Sequence, residues 1–228
     1  MHRALLLFVF LSLALGGCAG RQPPVHFNVM LGYAHTELEE SGGFEPILDD
    51  REGARVAVGA DVPTMGTSVN GSGLRLGGRM SVSWLRDNQG ERFLDDEPLL
   101  VVEDFIDLTM FTPQVVASYR QVIGDPDAGA AFIEPGVGLG LAVATMSFGS
   151  DLEFGDDLVG TDIRDREREV GFAVSPFLRG GFTLGRYLIG LESGYEWTTI
   201  SFDHDLGDDP TQWYLGIFLS VELGEEGR

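Results

Sequence analysis

Large apolar residues alternate with small or polar residues along most of the chain after residue 24. For example, Ile189 and Leu191 alternate with Gly190 and Glu192. Successive side chains of a β-strand point to opposite faces, so a period of two predicts strands rather than helices. The pattern therefore predicts an all-β protein. Eight stretches show this period: Val25–Thr36, Ala54–Val62, Leu74–Trp84, Phe105–Tyr119, Glu134–Val143, Glu169–Phe182, Tyr187–Trp197 and Trp213–Leu223.

The fourth stretch departs from this regularity. Ile106 and Met110 fall on one face of the predicted strand, whereas Val115 and Tyr119 fall on the other. A one-residue slip at Pro113, such as a β-bulge, would bring the two halves onto one face. We therefore expect an irregular register around Pro113.

The two faces of the predicted strands differ in size and polarity. One face carries bulky aliphatic and aromatic residues, and the other carries Gly, Ala and Ser with a few long charged residues. The second face has too few charged residues for a solvated exterior, but it suits the crowded interior of a narrow barrel. The bulky face would then contact lipid, where only a closed barrel satisfies every backbone group of a strand. The predicted interior charge network consists of Arg55, Arg75, Arg79, Arg179, Glu134, Glu192, Glu196 and Glu222.

The connections between the predicted strands alternate in length. Shorter connections follow the second, fourth and sixth strands. Short periplasmic turns and long outer loops are typical of bacterial outer-membrane barrels, and this layout starts the first strand on the periplasmic side. Eight strands enclose an interior that side chains fill, so no pore is expected. The long connections are predicted at Glu37–Gly53, Arg86–Glu103, Gly149–Arg168 and Ser201–Thr211.

Aromatic residues gather near both ends of the predicted strands. Such rings favour the two interfaces of a membrane, so two girdles are expected. The periplasmic girdle would contain Tyr119, Phe182 and Tyr187. The outer girdle would contain Tyr33, Trp84, Phe148, Tyr195, Trp197 and Trp213.

The first residues have the pattern of an export signal. The apolar run Ala4–Leu15 would form a helix of about 18 Å, too short for the roughly 30 Å of hydrocarbon in a membrane. It therefore predicts a secretory signal peptide at residues 1–17. Leu15-Gly16-Gly17-Cys18 resembles the lipobox of bacterial lipoproteins, which implies cleavage before Cys18 and acylation of its thiol. The alternative is a plain signal peptide with a cysteine beside the cleavage site.

The lipobox resemblance and the strand pattern together divide the rest of the chain into segments. Residue 19 is Ala rather than Asp, and the lipoprotein resemblance then implies transport to the outer membrane. Residues 18–24 would form a lipidated tether, residues 25–224 the barrel and residues 225–228 a charged tail. Cys18 is the only cysteine of the chain, so no internal disulfide is expected.

Charge narrows the choice of partners. The chain has 15 basic and 36 acidic residues, a net charge of −21. This balance argues against nucleic acid as a partner, since a phosphate backbone needs Lys and Arg to replace its counterions. It also argues against docking of a basic patch on anionic lipid headgroups. A charged partner would be cationic or a divalent metal.

Two segments resemble the small outer-membrane β-barrel superfamily, of which the OmpA transmembrane domain is a well-known form. Ile133-Glu134-Pro135-Gly136-Val137-Gly138-Leu139-Gly140 resembles the Pro-x-x-Gly-x-Gly strand of such barrels. Gly216, Leu219 and Val221 resemble the C-terminal signal that the barrel-assembly machinery reads. The resemblance covers residues 25–224, and it implies an eight-stranded antiparallel up-and-down transmembrane β-barrel in the outer membrane.

Candidate chemistry is sparse. The long connections are rich in carboxylates, which could bind calcium, or lipopolysaccharide through bridging cations. The densest acidic segment lacks the twelve-residue calcium-loop spacing, and solvated loops are the simpler interpretation. No phosphate-cradling loop, zinc spacing, nucleophile elbow or cofactor motif is found in the sequence. The weak metal candidates in this segment are Asp203, Asp205, Asp208 and Asp209.

Three functions remain open from the sequence. The first is a non-enzymatic outer-membrane barrel with a structural or surface-interaction role. The second is a lipid-anchored periplasmic barrel of lipocalin type, with the bulky face inside and a small apolar ligand. The third is an enzyme that modifies lipid A, for which His35 near an outer strand end, with Glu37 and Glu39 nearby, would be the candidate base.

Overall fold

Each of the eight predicted stretches forms a strand. The computed structural model describes residues 25–39, 51–64, 71–94, 97–125, 129–154, 157–202 and 208–223. Among these residues no helix is long and apolar enough to span a membrane. The strands are β1 (Val25–Glu39), β2 (Arg51–Pro63), β3 (Gly73–Leu94), β4 (Glu97–Ile123), β5 (Ala131–Phe154), β6 (Asp157–Leu184), β7 (Tyr187–Thr198) and β8 (Asp208–Leu223).

The strands close into a barrel. Each strand pairs antiparallel with the next, and β8 pairs antiparallel with β1. The prediction of an eight-stranded antiparallel up-and-down barrel is confirmed. The stagger of the barrel can be read by starting at Phe27 and moving to the paired residue on each next strand. After one full turn this path returns to β1 at Glu37, ten residues further along the strand. This stagger means that the strands are tilted and that each row of paired residues rises as it passes from β1 towards β8.

One side of the barrel is taller than the other because its strands extend further at one end. We call the end with Val25 and Leu223 the near end and the opposite end the far end. The strands β1, β2, β7 and β8 have 12 to 16 residues, whereas β3 to β6 have 22 to 28. We call the extra height on one side the far-end wall, formed by residues 86–94, 97–107, 147–154 and 157–168.

The prediction of long loops after β3 and β5 is wrong, because these segments form the far-end wall. Residues 86–103 and 149–168 were expected to be long loops, but most of them extend the β3–β4 and β5–β6 hairpins. The strands β4 and β5 also pair along the wall as far as Leu100 and Phe154. The period of two does not continue through these segments, but backbone pairing does not require it, and both ladders continue with register shifts after Asn88, Phe93, Phe148 and Leu152.

The expected slip at Pro113 is also wrong. Pro113 lies opposite Met80 in an unbroken register with β3. On the β5 side the pairs Phe111–Val143 and Gln114–Gly140 keep one register across the proline. The change of parity in β4 therefore has another cause, which is the change in polarity of the barrel interior towards the far end.

Small residues line the interior because long polar side chains occupy it. A Cβ at Gly194 would lie 2.6 Å from the Oη of Tyr214, and a Cβ at Gly138 would lie 2.6 Å from the Oε1 of Gln114. Both distances are too short for real atoms, so larger residues would displace the polar groups. The alternation of small and large residues in the sequence thus reflects the limited width of an eight-stranded barrel.

Candidate functional site

A continuous set of ion pairs crosses the barrel interior. Arg179 donates from Nε to Oε2 of Glu192 at 2.7 Å and from Nη1 to Oε1 of Glu134 at 3.2 Å. Arg79 donates from Nη1 to Oε1 of Glu192 at 2.6 Å. These side chains come from four strands, β3, β5, β6 and β7, and all are buried. The pairs therefore link opposite sides of the barrel wall.

A second group lies nearer the far end. Arg55 donates from Nη2 to Oε2 of Glu196 at 2.7 Å, and both side chains are buried. Glu196 also accepts hydrogen bonds from the hydroxyls of Thr112 at 2.9 Å and Ser175 at 3.0 Å. Ser81 accepts a hydrogen bond from Arg55 at 2.9 Å. Charged hydrogen bonds of this kind offset the cost of burying the ions.

Two members of this interior network were not recognised in the sequence. Arg120 donates from Nε to Oε2 of Glu134 at 2.6 Å and is buried. Asp61 pairs with Arg75 and accepts a hydrogen bond from the Nδ2 of Asn28 at 2.6 Å. Arg120 lies one residue beyond the predicted end of β4, and its inward parity was the available signal. Asp61 alternates with Val58 and Val62 in the second stretch, which puts it on the polar face, but the sequence alone assigns it no partner.

Glu222 lies at the edge of the network. It is half-buried at the near end, opposite His26 in the register of β1 and β8. Its backbone amide donates to the carbonyl of Arg186 at 2.9 Å. The structure thus brings together Arg55, Arg75, Arg79, Arg179, Glu134, Glu192 and Glu196 in the buried interior and leaves Glu222 at the barrel mouth.

Aromatic rings fill the space between the ions. The guanidinium of Arg179 lies 4.7 Å from the centroid of Phe177 and 5.1 Å from that of Phe218. Arg55 lies 4.3 Å from the centroid of Tyr214. A cavity beside Asn28 and other interior residues has about 20 Å³ of free space, which suffices for one or two waters. This cavity offers no room for an apolar ligand.

The outer face of the barrel is apolar around its circumference. Phe172 is 70% exposed, Ile217 63% and Leu31 60%. These residues belong to β6, β8 and β1. The strands β3, β4, β5 and β7 contribute similar residues, and β2 contributes the half-buried Val56, Val58 and Val62. We call this surface the apolar belt; further members are Leu76, Val115, Val137, Leu139, Leu141, Val170, Val174, Leu178, Ile189, Leu191, Leu215 and Leu219.

Aromatic residues lie at both edges of the belt. Towards the far end the rings of Tyr33 and Trp213 are 5.4 Å apart, and those of Tyr195 and Trp197 are 5.9 Å apart. Trp84 is exposed at the same edge, and the near end carries Tyr119, Phe182 and Tyr187 on its outer face. The assignment of Phe148 to the outer girdle is wrong, because Phe148 packs against the buried apolar residues inside the barrel.

Polarity reverses at the far end. On the outside, Arg86 pairs with Asp107, and Arg166 donates from Nε to the hydroxyl of Ser147 at 3.3 Å. The backbone amide of Thr199 donates to the carbonyl of Phe172 at 2.9 Å, which ties the segment after β7 to β6. Most of the inside is apolar, although Glu167 and Glu169 of β6 also point inward. We call its buried apolar side chains the far-end plug: Leu85, Ile106, Leu108, Met110, Met146, Ile200 and Phe202.

Several predicted site residues lie outside the described residues. This applies to Cys18, Asp203 and Asp205, whereas Asp208 and Asp209 are described only as backbone of β8. Within the described ranges, no group of three or more His, Cys, Asp and Glu side chains is placed to hold a metal ion. The metal and lipidation sites therefore remain predictions from the sequence.

Comparison with known proteins identifies the fold. No family model and no curated protein sequence matches the chain. Among solved structures, Ail, the attachment invasion locus protein of Yersinia pestis, in complex with the heparin analogue sucrose octasulfate, aligns with a TM-score of 0.51 and 12% identity. The alignment covers 86% of this chain and 99% of Ail.

Two other structures align less closely. Neisserial surface protein A has a TM-score of 0.43 and 15% identity over 86% of this chain and 97% of its own. The outer membrane protein OprG from Pseudomonas aeruginosa has a TM-score of 0.43 and 11% identity over 89% of this chain and 98% of its own. The likeness to Ail and the closed eight-stranded topology together show that this chain has the fold of the small outer-membrane β-barrels.

Proposed function

We propose that this chain is an outer-membrane barrel, anchored in addition by a lipid at Cys18, with a non-enzymatic structural or surface-interaction role in the cell envelope. The apolar belt is the observation that carries the proposal. A water-soluble protein rarely exposes an apolar patch larger than a few hundred Å², and this belt encircles the barrel. Lipid is the environment in which such a surface is stable.

The interior supports the same proposal. A lipocalin-type barrel would place its bulky face inside, around an apolar ligand. Here the bulky face lies outside and ion pairs fill the inside. Charges that face a narrow interior while apolar residues face outward are the arrangement of a membrane barrel.

Orientation follows from the connections. The turn at Gly185 and Arg186 joins β6 to β7 at the near end, and short turns are periplasmic in outer-membrane barrels. A tether of residues 18–24 would reach about 23 Å, so a lipid on Cys18 could enter the inner leaflet. The far-end wall and the acidic connections would then lie outside the cell, where a surface protein meets its partners.

The enzymatic alternative depends on His35. Its ring lies 5.6 Å from that of Trp213 in a tilted arrangement near the far edge of the belt. An aromatic contact of this kind explains the residue as part of the membrane interface. If His35 instead served as a catalytic base, His35→Ala would abolish a change in the mass of lipid A that wild-type cells show.

Heat-modifiability of the full chain in outer-membrane fractions tests the proposal. A folded membrane barrel migrates differently before and after boiling, and Cys18→Ala should retain this shift in carbonate-resistant membranes. Release of folded Cys18→Ala as a soluble protein would contradict the proposal.

A matched pair of variants on β5 locates the membrane. Leu139→Arg puts a charge in the middle of the belt, where it should cost about 2–4 kcal/mol and block insertion. Thr145→Arg lies on the same outer face beyond the belt and should insert normally, with a cost of at most about 1 kcal/mol. Equal insertion of both variants would show that the belt does not contact lipid.

A further inference from the structure

The arginines of the far-end wall collect on its outer face. Arg86, Asp107, Ser147 and Arg166 occupy one row of paired residues across β3, β4, β5 and β6. The next row towards the belt contains Trp84, Thr109, Thr145 and Arg168. Arg86, Arg166 and Arg168 are exposed. We call these two rows the arginine shelf.

The shelf begins where the apolar belt ends. The row immediately below it contains Val82, Phe111, Val143 and Val170, all of which are apolar and face outward. Side chains of the shelf therefore lie at the height of lipid headgroups if the belt lies in the hydrocarbon. The row rises from β3 to β6, so Arg166 lies higher than Arg86, and Arg168, two residues nearer the belt, lies closer to the level of Arg86.

Charge on the shelf is opposite to that of the chain. Three arginines and the carboxylate of Asp107 face outward there, and the exposed Glu52 of β2 lies opposite Arg86 at the end of the same row, while the chain as a whole has a net charge of −21. In the segment 166–169 the arginines alternate with Glu167 and Glu169, which point to the inner face of β6. In this segment of β6 the positive charges therefore lie on the outer face and the negative charges on the inner face. The net charge of the whole chain, which argued against a basic patch for anionic lipid, does not describe this surface.

We propose that the arginine shelf binds a glycolipid of the outer leaflet that carries phosphates at both ends of a sugar headgroup. This inference rests on the proposed membrane insertion. Arg86 and Arg166 stand three strand spacings apart, about 14 Å at 4.8 Å each, which suits two separated phosphates better than the single phosphate of a phospholipid. Guanidinium groups form paired hydrogen bonds with phosphate oxygens. Since Nε and Nη2 of Arg86 already contact Asp107, a phosphate there would bind through Nη1 or displace the carboxylate.

Hydroxyl groups between the arginines suit the sugar. Thr109 and Thr145 lie half-buried on β4 and β5, between the arginines of β3 and β6. Ser147 is buried and accepts a hydrogen bond from Arg166. Trp84 is 48% exposed on the lower row, so its ring can cover the apolar side of a sugar. The acyl chains of the glycolipid would then lie along Phe111, Val143 and Val170 of the belt.

Binding of defined lipids to the folded full chain in detergent tests this inference, with native mass spectrometry as the readout. The probes are lipid A with two phosphates, the same lipid A without phosphates, and phosphatidylglycerol. Wild-type protein should retain the phosphorylated lipid A in preference to both others. The triple variant Arg86→Gln, Arg166→Gln, Arg168→Gln should lose this preference by about tenfold, since each exposed ionic contact is worth a factor of roughly two to five.

Arg186→Gln is the matched control because Arg186 is an exposed arginine in the near-end turn, and it should leave the preference unchanged. Equal retention of phosphorylated and dephosphorylated lipid A would overturn the inference, as would equal retention of phosphatidylglycerol or an equal loss in the control. Heat-modifiability of every variant keeps the two proposals separate. A folded, inserted barrel without lipid preference refutes the shelf alone, whereas a barrel that does not insert refutes the proposed function.

Discussion

The barrel has two regions with opposite polarity. At the level of the belt, apolar side chains such as Leu139 face outward and ions such as Glu192 face inward. At the far end, Arg86 and Arg168 of the wall face outward, and Leu108 and Met146 of the plug face inward. The same alternation of residues serves both regions. Alternation therefore shows which residues share a face, and the surrounding medium decides which face is apolar.

The reversal occurs within one continuous strand. Along β4, Met110 faces the plug while Val115 faces outward, and the register passes Pro113 without a shift. If water surrounds the wall and lipid surrounds the belt, each side chain meets the medium that suits it. Under the proposed insertion, the position of the reversal would mark the outer edge of the membrane.

The largest effect should come from the ions of the belt region. Glu192→Gln keeps the shape of the side chain but removes the charge that pairs with Arg79 and Arg179. Loss of one partner of a buried ion pair typically costs about 3–5 kcal/mol, and the free energy of unfolding in urea, measured in lipid vesicles, should fall by this amount. Glu222→Gln, at the half-exposed mouth, is the control and should cost no more than about 1 kcal/mol. Equal effects would mean that the network does not hold the barrel together.

The far-end plug should respond to loss of apolar volume instead. Leu108→Ala removes a fully buried side chain and should cost about 2–5 kcal/mol in the same unfolding measurement. Val115→Ala on the same strand removes a side chain from the belt, where lipid can fill the space, and should cost less. A larger loss for Val115→Ala would contradict the assignment of the plug as a packed core.

The smallest effect separates two threonines of β4. Thr112 faces inward and donates to Glu196 at 2.9 Å, so Thr112→Val should cost about 1–3 kcal/mol because the carboxylate loses a buried donor. Thr109 faces outward on the arginine shelf, and Thr109→Val should change stability by no more than about 0.5 kcal/mol. The two variants remove the same hydroxyl, so a similar cost for both would remove the distinction between inside and outside at this height.

Much of the fold could be predicted from the sequence alone. The period of two identified all eight strands, and the contrast between small and bulky residues separated their faces correctly in the belt region. Gly138 and Gly194 leave room for Gln114 and Tyr214, so the small residues that favoured a narrow barrel interior do so for a steric reason. These features are local, because the size and polarity of each residue match the space and the environment on its own face of the strand.

The tertiary structure decided what depends on several strands at once. The positions at which the strands end at the far end depend on pairing within and between hairpins. The sequence of residues 86–103 and 149–168 does not reveal this pairing. The partners of Arg120 and Asp61 depend on the stagger of the barrel, as does the height of Arg168 relative to Arg86. The sequence alone determined the alternation along each strand. Closure and stagger determined which residues become neighbours, since they bring together side chains that the sequence holds far apart.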